Sequence, residues 1–451
     1  MKKVLIKIRP FIKYFLVFFF FLFWNLIVQP IYIDENWNYG FAHNIYNGLI
    51  PYKDFNMVLT PLFPFIMSFP FFIFGSSILI FHIEQAIILT ISFLLIYNYL
   101  KEKSLIVLFF IIFPLSVAFP SYNFFLFFLF LILIKLEDIE ASDYLIGFIL
   151  ASVILTKHTV GAIMLLPTLY YIKKPKKIFK RFIGCLIPGI LFILYLLFTG
   201  SFMSFLDLCV LGLFDFGSSN GEINIYFILS IILMVFVLYL IKKDKNNINN
   251  YYFLAFCSNL LPLFDLYHFQ LVFVAFVFIL LLQVDIKIPI NLNIFIPGVI
   301  VGLTVVNLYY RFDNSKIIYP NNINHYEYRL ISSSHIEFTN KINELMDKYS
   351  DKKIVFLSAD GYYFRIINDQ DISYLDLINM GNWGYNGSSK LLNKVKELDS
   401  SYIYFLDTKE LGMDRQTDQK VLNYVLDNGK KIDGYKNYEV YILEGEVWRN
   451  S

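Results

Sequence analysis

The sequence predicts a polytopic α-helical membrane protein with a small α/β domain at its C-terminal end. The chain of 451 residues is 57% hydrophobic and only 16% charged, well below the roughly 25% of charged residues in soluble domains. Long apolar runs recur from Phe11 to Tyr310, as expected for repeated membrane spans. From Arg311 onward, polar and charged residues are spread throughout, so we expect the membrane part to end there.

Basic residues predict the orientation, because short loops rich in Lys and Arg stay in the cytoplasm. Three such segments occur: the N-terminus, Lys173–Arg181 and Lys242–Lys245. The N-terminus resembles a signal sequence but lacks a small-residue cleavage site, which favours an uncleaved first helix. We predict about eleven transmembrane helices, at 14–30, 78–100, 105–119 and 124–134, as two short helices meeting near 156–159, at 182–198, in the segment before 242–245, at 251–264, in the segment before 285–287, and at 294–310.

Three further segments of the predicted topology lie on the outer face of the plasma membrane. The apolar stretch 61–74 is too short to span a bilayer and contains Pro64 and Pro70, so we expect an interfacial piece there. We expect an outer loop of some twenty residues at 199–222. The C-terminal α/β domain is expected at 334–451, behind a linker at 312–333 that follows the membrane domain 1–311.

Within the outer domain, strands are predicted at 353–357, 402–407 and 438–443, and helices at 390–398 and 419–428. Its loop from Gly381 to Gly387 contains Trp383 and Tyr385. This loop is either an ordinary turn-rich connection or a surface on which a sugar ring stacks. We expect the domain to recognise an acceptor or to cap a cavity.

The cysteines indicate no special site, and the net charge says little about partners. Cys185, Cys209 and Cys257 lie in or beside apolar segments without CxxC spacing, which indicates neither a disulfide framework nor a metal site. The net charge is +2, and we expect no nucleic-acid partner.

An acid pair, Asp34 and Glu35, follows the first predicted membrane helix. Behind it, aromatic and small polar residues alternate in a pattern that suits an amphipathic helix on the outer leaflet, which Gly48 and Pro51 end. A carboxylate in such a partly dry place has its pKa raised toward neutrality, as a general base requires. The alternative is a solvated acidic pair in a loop, without a role.

Lys157 and His158 interrupt an apolar stretch, LIGFILASVILTKHTVGAIMLLP, at its middle. One interpretation is the tip of a short external hairpin with two solvated side chains. The other is a cation held at membrane depth to meet an anion such as a lipid phosphate.

The stretch DENWNYGFAHNIYNGLIPYKDF, followed by TPLFP, resembles the first external loop of the GT-C glycosyltransferases. These polytopic enzymes, which include lipid A and lipooligosaccharide glycosyltransferases, aminoarabinose transferases and protein O-mannosyltransferases, use polyprenyl-phosphate-linked sugars. LTKHTVGAIMLLP and the late external Asp265-Leu266-Tyr267-His268 are similar to two further elements of that family. The resemblance covers roughly residues 14–310, and it implies sugar transfer to a glycolipid, wall polymer or protein of the cell envelope.

Carried over to this chain, the resemblance implies Asp34 as the general base and Glu35 as a support for it or a contact to the acceptor. Lys157, with His158 or His268, would hold the donor phosphate, and displacement would invert the anomeric carbon. Six further residues are expected to bind substrate: Tyr39, His43, Tyr52, Asp54, Asn123 and Asp265.

We expect no metal site and no cofactor, because this chain lacks one acid of the family pattern. Several relatives carry a second acid between helices three and four, where this chain has Pro120-Ser121-Tyr122-Asn123. Asp207 or Asp215 would have to replace that acid.

The chief alternative function is a transporter or flippase for a lipid-linked sugar or polysaccharide precursor. Such proteins place charges through the depth of the membrane and often contain inverted repeats, whereas the charges here gather at the outer rim and no repeat is evident. A polymerase or ligase would usually show an Arg-rich outer loop, and 199–222 has neither Arg nor Lys. Eleven spans exceed what an anchor for the outer domain would need.

Overall fold

A computed structural model describes residues 14–28, 33–100, 120–220, 223–261, 263–283, 317–318, 321–373, 375–376, 381–398, 400–411 and 418–443. The predicted helices at 105–119 and 294–310 lie outside these residues. In the described part, helices make up the chain as far as Gln283, and a four-stranded sheet lies near its C-terminal end.

The helices of the first part are numbered here in chain order. They are α1 (14–28, ending in a π-helical turn at Trp24–Val28), α2 (Ile33–Tyr46), α3 (Leu62–Ser68), α4 (Phe71–Phe74), α5 (Ile78–Leu100), α6 (Tyr122–Asp138), α7 (Asp143–Thr156), α8 (His158–Met164), α9 (Pro175–Thr199), α10 (Phe202–Phe205), α11 (Gly212–Asn220), α12 (Ile225–Lys243), α13 (Ile248–Phe256) and α14 (Leu266–Gln283). Short 3₁₀ turns occupy Leu166–Tyr171 and Cys257–Leu260, and a π-helical turn occupies Leu206–Leu211.

Four described helices, α5, α9, α12 and α14, are long and apolar enough to cross a membrane. Helix α5 has the predicted bounds, and the predicted break near 156–159 is confirmed at Lys157, whose extended backbone separates α7 from α8. Helix α9 begins seven residues before the predicted 182, because Pro175 suits the first position of a helix and the basic residues continue its register. Helix α13 ends at Phe256, short of the predicted 264, and passes into the 3₁₀ turn.

The prediction of a loop at 199–222 is wrong, since helical turns fill the segment from Phe202 to Asn220. Met203 and Phe214 are strongly exposed on it. A segment with apolar side chains outward satisfies its backbone internally when it lies against lipid.

The apolar stretch 61–74 forms the two short helices α3 and α4, as expected of an interfacial piece. Pro70 separates them, but Pro64 lies within the first turn of α3 and does not break it, because a proline there displaces no intrahelical hydrogen bond. Phe69, Phe72 and Phe74 are strongly exposed, so an apolar edge remains for a membrane surface.

Helix α2 does not lie open on a leaflet as predicted. Every residue from Glu35 to Ile45 except Trp37 is buried, because α3 covers one side of the helix and a C-terminal helix, Gly361–Ile367, covers another. The aromatic residues that suggested a lipid-facing surface pack against protein instead: Phe41 lies against Tyr362 with ring centroids 5.9 Å apart.

The elements of the C-terminal part are β1 (Ile317–Ile318), β2 (Ile331–Ser332), α15 (Ser333–Lys348), β3 (Lys353–Leu357), α16 (Gly361–Ile367), α17 (Gly387–Glu397), β4 (Tyr402–Asp407), α18 (Gln419–Asn428), β5 (Gly429–Tyr435) and β6 (Tyr438–Leu443). Four of the strands form a sheet in the order β3-β4-β6-β5. Strands β3 and β4 are parallel, and the other two pairings are antiparallel. Strands β3, β4 and β6 occupy the three segments predicted as strands. The sequence analysis missed β1, β2, α15, α16 and β5.

Candidate functional site

Asp34 lies in the first turn of α2 and is half-buried. Its backbone carbonyl accepts a hydrogen bond from the Asn38 side chain at 2.6 Å. Burial, with a smaller contribution from the negative charge of Asp265, raises the pKa of the Asp34 carboxyl to about 6. Near neutral pH such a group is mostly ionised and still binds a proton well, which matches the property predicted for a general base.

Asp265 precedes α14 and is tied to His268 one turn later. Its Oδ1 accepts the backbone N–H of His268 at 2.8 Å and lies 2.8 Å from the ring Nδ1. Burial opposes the charge of Asp265, but these bonds outweigh it and hold its pKa below the usual value. Nε2 of His268 lies 3.1 Å from the Asn123 amide nitrogen. An amide nitrogen only donates, so the ring proton of a neutral His268 belongs on Nδ1, facing Asp265.

Lys157 projects from the break between α7 and α8 and is only 8% exposed. Its ammonium group donates to the amide oxygens of Asn123 at 3.3 Å and Asn259 at 3.0 Å. It also lies 5.7 Å from the centre of the Tyr122 ring. Among the described residues, no carboxylate lies within ion-pair distance of this group. An ammonium has three N–H donors, so the two amides leave one N–H for a ligand. Because Lys157 is buried, the prediction of a solvated side chain at a hairpin tip is wrong.

The sequence analysis assigned no role to four residues that lie near Asp34, Asp265 or Lys157: Tyr122, Asn259, Tyr267 and Ser121. Tyr122 and Tyr267 lie close enough to Asp34 and Asp265 to experience their charges, and the hydroxyls of Ser121 and Tyr267 are hydrogen-bonded. Three of them, Ser121, Tyr122 and Tyr267, lie within the segments 120–123 and 265–268, whose neighbouring residues were predicted to bind substrate. Asn259 is in an apolar helix end with no motif around it.

The cluster therefore joins the starts of α2, α6 and α14, the break after α7, and the turn after α13. It contains five of the predicted site residues: Asp34, Asp265, His268, Asn123 and Lys157. However, both ring nitrogens of His268 have protein partners, so the ring orients Asn123 and, through it, Lys157. A direct contact from His268 to a donor phosphate does not fit this arrangement.

Glu35 is fully buried. Its Oε1 lies 2.6 Å from Nε2 of His82 on α5, and its Oε2 accepts a bond from Arg329 at 3.0 Å. A contact from Glu35 to an acceptor is therefore wrong for this structure, because the side chain has no accessible surface. A supporting role remains.

His158 does not join the cluster. Its ring lies near the backbone of Cys209, and the Cys209 side chain lies near Tyr52. Tyr52 is buried and donates to the Leu59 carbonyl at 2.6 Å, while Asp54 accepts the backbone N–H of Ile50 at 2.7 Å. Tyr52 and Asp54 thus shape the loop after α2, and the substrate contacts predicted for them have no counterpart in the cluster around Asp34.

Tyr39 and His43 belong to a second polar cluster rather than to the first. The Tyr39 hydroxyl lies 2.9 Å from Oγ of Ser76 and 3.1 Å from Nδ1 of His325, and Nδ1 of His43 lies 2.8 Å from the same Oγ. Burial lowers the pKa of His43 to about 4. A cavity of about 290 Å³ is lined by His43, Tyr46, Asn47, Ser76, His325 and Asp369.

The loop at 381–387 docks on the helical segment 202–220. Lys390 pairs with Asp207 at 2.6 Å, and the backbone N–H of Gly387 donates to Asp215 at 3.1 Å. Gly384 has a φ of +75°, and a Cβ there would lie 2.6 Å from the Asp207 carboxylate, so this position requires glycine. Trp383 is buried beside a cavity of about 450 Å³ that Lys53 and Asn393 also line.

A resident divalent metal does not fit these residues. Asp207 and Asp215 hold the docked loop, so neither replaces the missing acid, and Asp265 is the carboxylate that approaches Asp34. Hard cations take six or more oxygen ligands, whereas one oxygen of Asp265 is already committed to His268. No group of three or more metal-binding side chains occurs among the described residues.

Comparisons with known proteins identify the fold. No protein-family model and no curated protein matches the chain. The solved structure of ArnT from Cupriavidus metallidurans bound to undecaprenyl phosphate matches with a TM-score of 0.56 at 9% identity, over 97% of this chain and 98% of that chain. The Archaeoglobus fulgidus oligosaccharyltransferase in complex with Zn and sulfate matches at a TM-score of 0.36 and 10% identity, over 92% and 70%, a likeness too low to carry an argument. The match to ArnT confirms the predicted GT-C membrane fold.

Proposed function

We propose that the protein is an integral-membrane glycosyltransferase that moves a sugar from a polyprenyl-phosphate-linked donor to a hydroxyl group of a cell-envelope acceptor on the outer face of the membrane. The observation that carries this proposal is the buried cation Lys157, held by two neutral amides in the same cluster as Asp34. Burial of a charge among neutral groups is costly, and the charge of Asp265 acts on Lys157 only from beyond ion-pair distance. A lipid phosphate would supply a direct counter-ion. The undecaprenyl phosphate bound to ArnT, which shares this fold, supports that class of ligand.

In the reaction we propose, Asp34 takes the proton as the O–H bond of the acceptor breaks. The acceptor oxygen forms a bond to the anomeric carbon from the face opposite the phosphate. The bond between that carbon and the phosphate oxygen breaks, and its electron pair leaves with the polyprenyl phosphate, so the anomeric configuration inverts. Negative charge grows on the departing phosphate, and Lys157 stabilises it through the N–H that Asn123 and Asn259 leave unused.

The remaining residues of the cluster hold these two groups in place. Asp265 fixes His268, His268 fixes Asn123, and Asn123 accepts from Lys157, so a chain of contacts runs from the start of α14 to the cation. Tyr122 and Tyr267 contribute aromatic walls and hydroxyls next to Asp34, where a sugar and an acceptor hydroxyl would have to meet.

Sugar transfer by the purified protein tests the proposal. Labelled polyprenyl-phosphate sugars and a membrane lipid extract are supplied to wild type, to Asp34→Asn and to Asp244→Asn, a matched control at an exposed residue after α12. We expect transfer to fall at least ~100-fold in Asp34→Asn, since general base catalysis contributes about that much or more, and to persist in the control. Transfer that survives Asp34→Asn removes Asp34 as the base. A folded protein that transfers no sugar from any donor would favour the transporter.

A further inference from the structure

Residues 321–330, within the predicted linker, form a compact turn that we call the strap. Asn321 folds it: its amide nitrogen donates to the carbonyls of Tyr326 at 2.8 Å and Arg329 at 2.7 Å, and its Oδ1 accepts the backbone N–H of Ile323 at 2.9 Å. Asn321, Ile323, Tyr326 and Arg329 are all buried. The strap therefore holds its own shape and is not a loose connection.

The strap contacts the two residues that directly follow Asp34 in α2. The Tyr326 hydroxyl donates to Oδ1 of Asn36 at 2.6 Å, and Arg329 donates to Glu35 at 3.0 Å. Arg329 also donates to the backbone carbonyl of Asn25 in α1. All three contacts are buried, where competition from water is weakest and geometry is held most firmly.

These contacts fix the first turn of α2. Each carboxylate oxygen of Glu35 has its own partner, His82 on one side and Arg329 on the other, so its rotamer is determined. Asp34 lies on the same turn, and its side chain has no ion pair among the described residues. Its direction therefore depends on the backbone that Glu35 and Asn36 anchor.

We propose that Tyr326 and Arg329 are positioning residues for sugar transfer, which act through Asn36 and Glu35 to hold the Asp34 carboxyl group toward Asp265 and Tyr122. This inference rests on the proposed function. A buried ion pair by itself is weak evidence for a role beyond folding, so the test must separate positioning from stability.

Tyr326→Phe makes that separation, because it removes one oxygen and keeps the ring that packs against Tyr363 with centroids 5.2 Å apart. Tyr349→Phe is the matched control, since its hydroxyl bonds Asp433 within the C-terminal part. We expect kcat to fall roughly 10-fold or more in Tyr326→Phe, because small displacements of a catalytic group are costly, with the donor KM within about twofold of wild type. The control should retain its kcat.

A double-variant cycle shows whether the effect passes through Asp34. In the Asp34→Asn background there is no base left to position, so Tyr326→Phe should lower kcat no further. An equal loss in both backgrounds, or a change in the donor KM alone, would overturn the proposal. Arg329→Lys, which keeps the charge without the planar fork, should show the same pattern more weakly than Arg329→Met.

A second readout does not depend on activity. A water-soluble carbodiimide modifies protonated carboxyl groups, and mass spectrometry of the labelled protein reports the rate at Asp34. We expect that rate to change at least ~3-fold in Tyr326→Phe, because the position of the carboxyl group alters its burial and its distance from Asp265. An unchanged rate at Asp34 would refute the positioning role. If wild type transfers no sugar, the proposed function fails, while this labelling still decides whether the strap sets the state of Asp34.

Discussion

Replacing Asp34 by asparagine is expected to stabilise the folded protein while removing most of its activity. In the folded state the pKa of Asp34 is raised from 3.8 to about 6, chiefly by burial and then by Asp265. A difference of about two pKa units corresponds to a destabilisation on the order of 3 kcal/mol at pH 7. Asparagine keeps the shape without the charge, so this value is an upper limit for the gain.

The sign of the effect sets its pH dependence. The folded state binds the Asp34 proton more tightly than the unfolded state does. The destabilisation by the ionised carboxylate is therefore absent below pH ~4, grows between the two pKa values and is constant above pH ~6. At pH 5 it is about half its full value. We therefore expect the melting temperature of Asp34→Asn in detergent micelles to exceed that of wild type by a few degrees at pH 7.5 and by less at pH 5.

Thermal unfolding monitored at both pH values, with Asp244→Asn as the control, measures this difference. The control should match wild type at each pH, since exposed substitutions seldom change the free energy of unfolding by more than ~0.5 kcal/mol. If Asp34→Asn melts at or below the wild-type temperature at pH 7.5, then Asp34 does not carry a destabilised charge, and the argument that it is a base held in a partly dry site is wrong.

Three further predictions concern transfer itself. Lys157→Met should lower kcat/KM for the donor at least ~10-fold, because a charge-assisted bond to phosphate is lost, and unchanged kinetics would remove Lys157 from the donor site. Asp265→Asn should move the acid limb of the pH–rate profile of kcat to lower pH by less than about one unit, because Asp265 supplies the smaller part of the rise in the pKa of Asp34; a limb that moves up or stays would contradict this. Transfer should continue in excess EDTA, since Lys157 provides the positive charge, and a loss that Mg²⁺ or Mn²⁺ reverses would show that Asp34 and Asp265 hold a metal.

The sequence predicted those features that depend on local pattern. The bounds of α5 follow from a predominantly apolar run of bilayer length, and the break at Lys157 follows from a charge in the middle of an apolar stretch. Strands β3, β4 and β6 follow from short runs of β-branched and aromatic residues. In the cluster around Asp34, the three short motifs of the resemblance contain five residues that the structure places close together.

The remaining features depend on contacts between distant segments, which one sequence does not display. The sequence around Glu35 indicates a partner of Asp34 or a residue of a solvated loop. Its burial in an ion pair depends on a contact with Arg329, which lies 294 positions later in the chain. The sequence of α2 suggested a lipid-facing helix because aromatic side chains are equally suited to contact with lipid and to contact with other parts of the protein. Tyr39 and His43 follow Asp34 by five and nine residues along α2, yet both contact Ser76, and Tyr39 also contacts His325, in a separate cluster.

Asp34 and Lys157, the two charges proposed to act in sugar transfer, are both held away from direct ion pairs, and this explains why several separate elements build the cluster. Ionised Asp34 is destabilised by burial, and Lys157 is buried against neutral amides, so each charge is unfavourable in the empty protein. A phosphate would compensate Lys157, and the proton of an acceptor would neutralise Asp34, so both ligands relieve a cost that the fold imposes. If the two charges met directly, they would cancel and neither would act on a substrate. The chain keeps them apart by placing Asp34 on α2, which the strap anchors, and Lys157 on the break after α7, which Asn123 and Asn259 anchor.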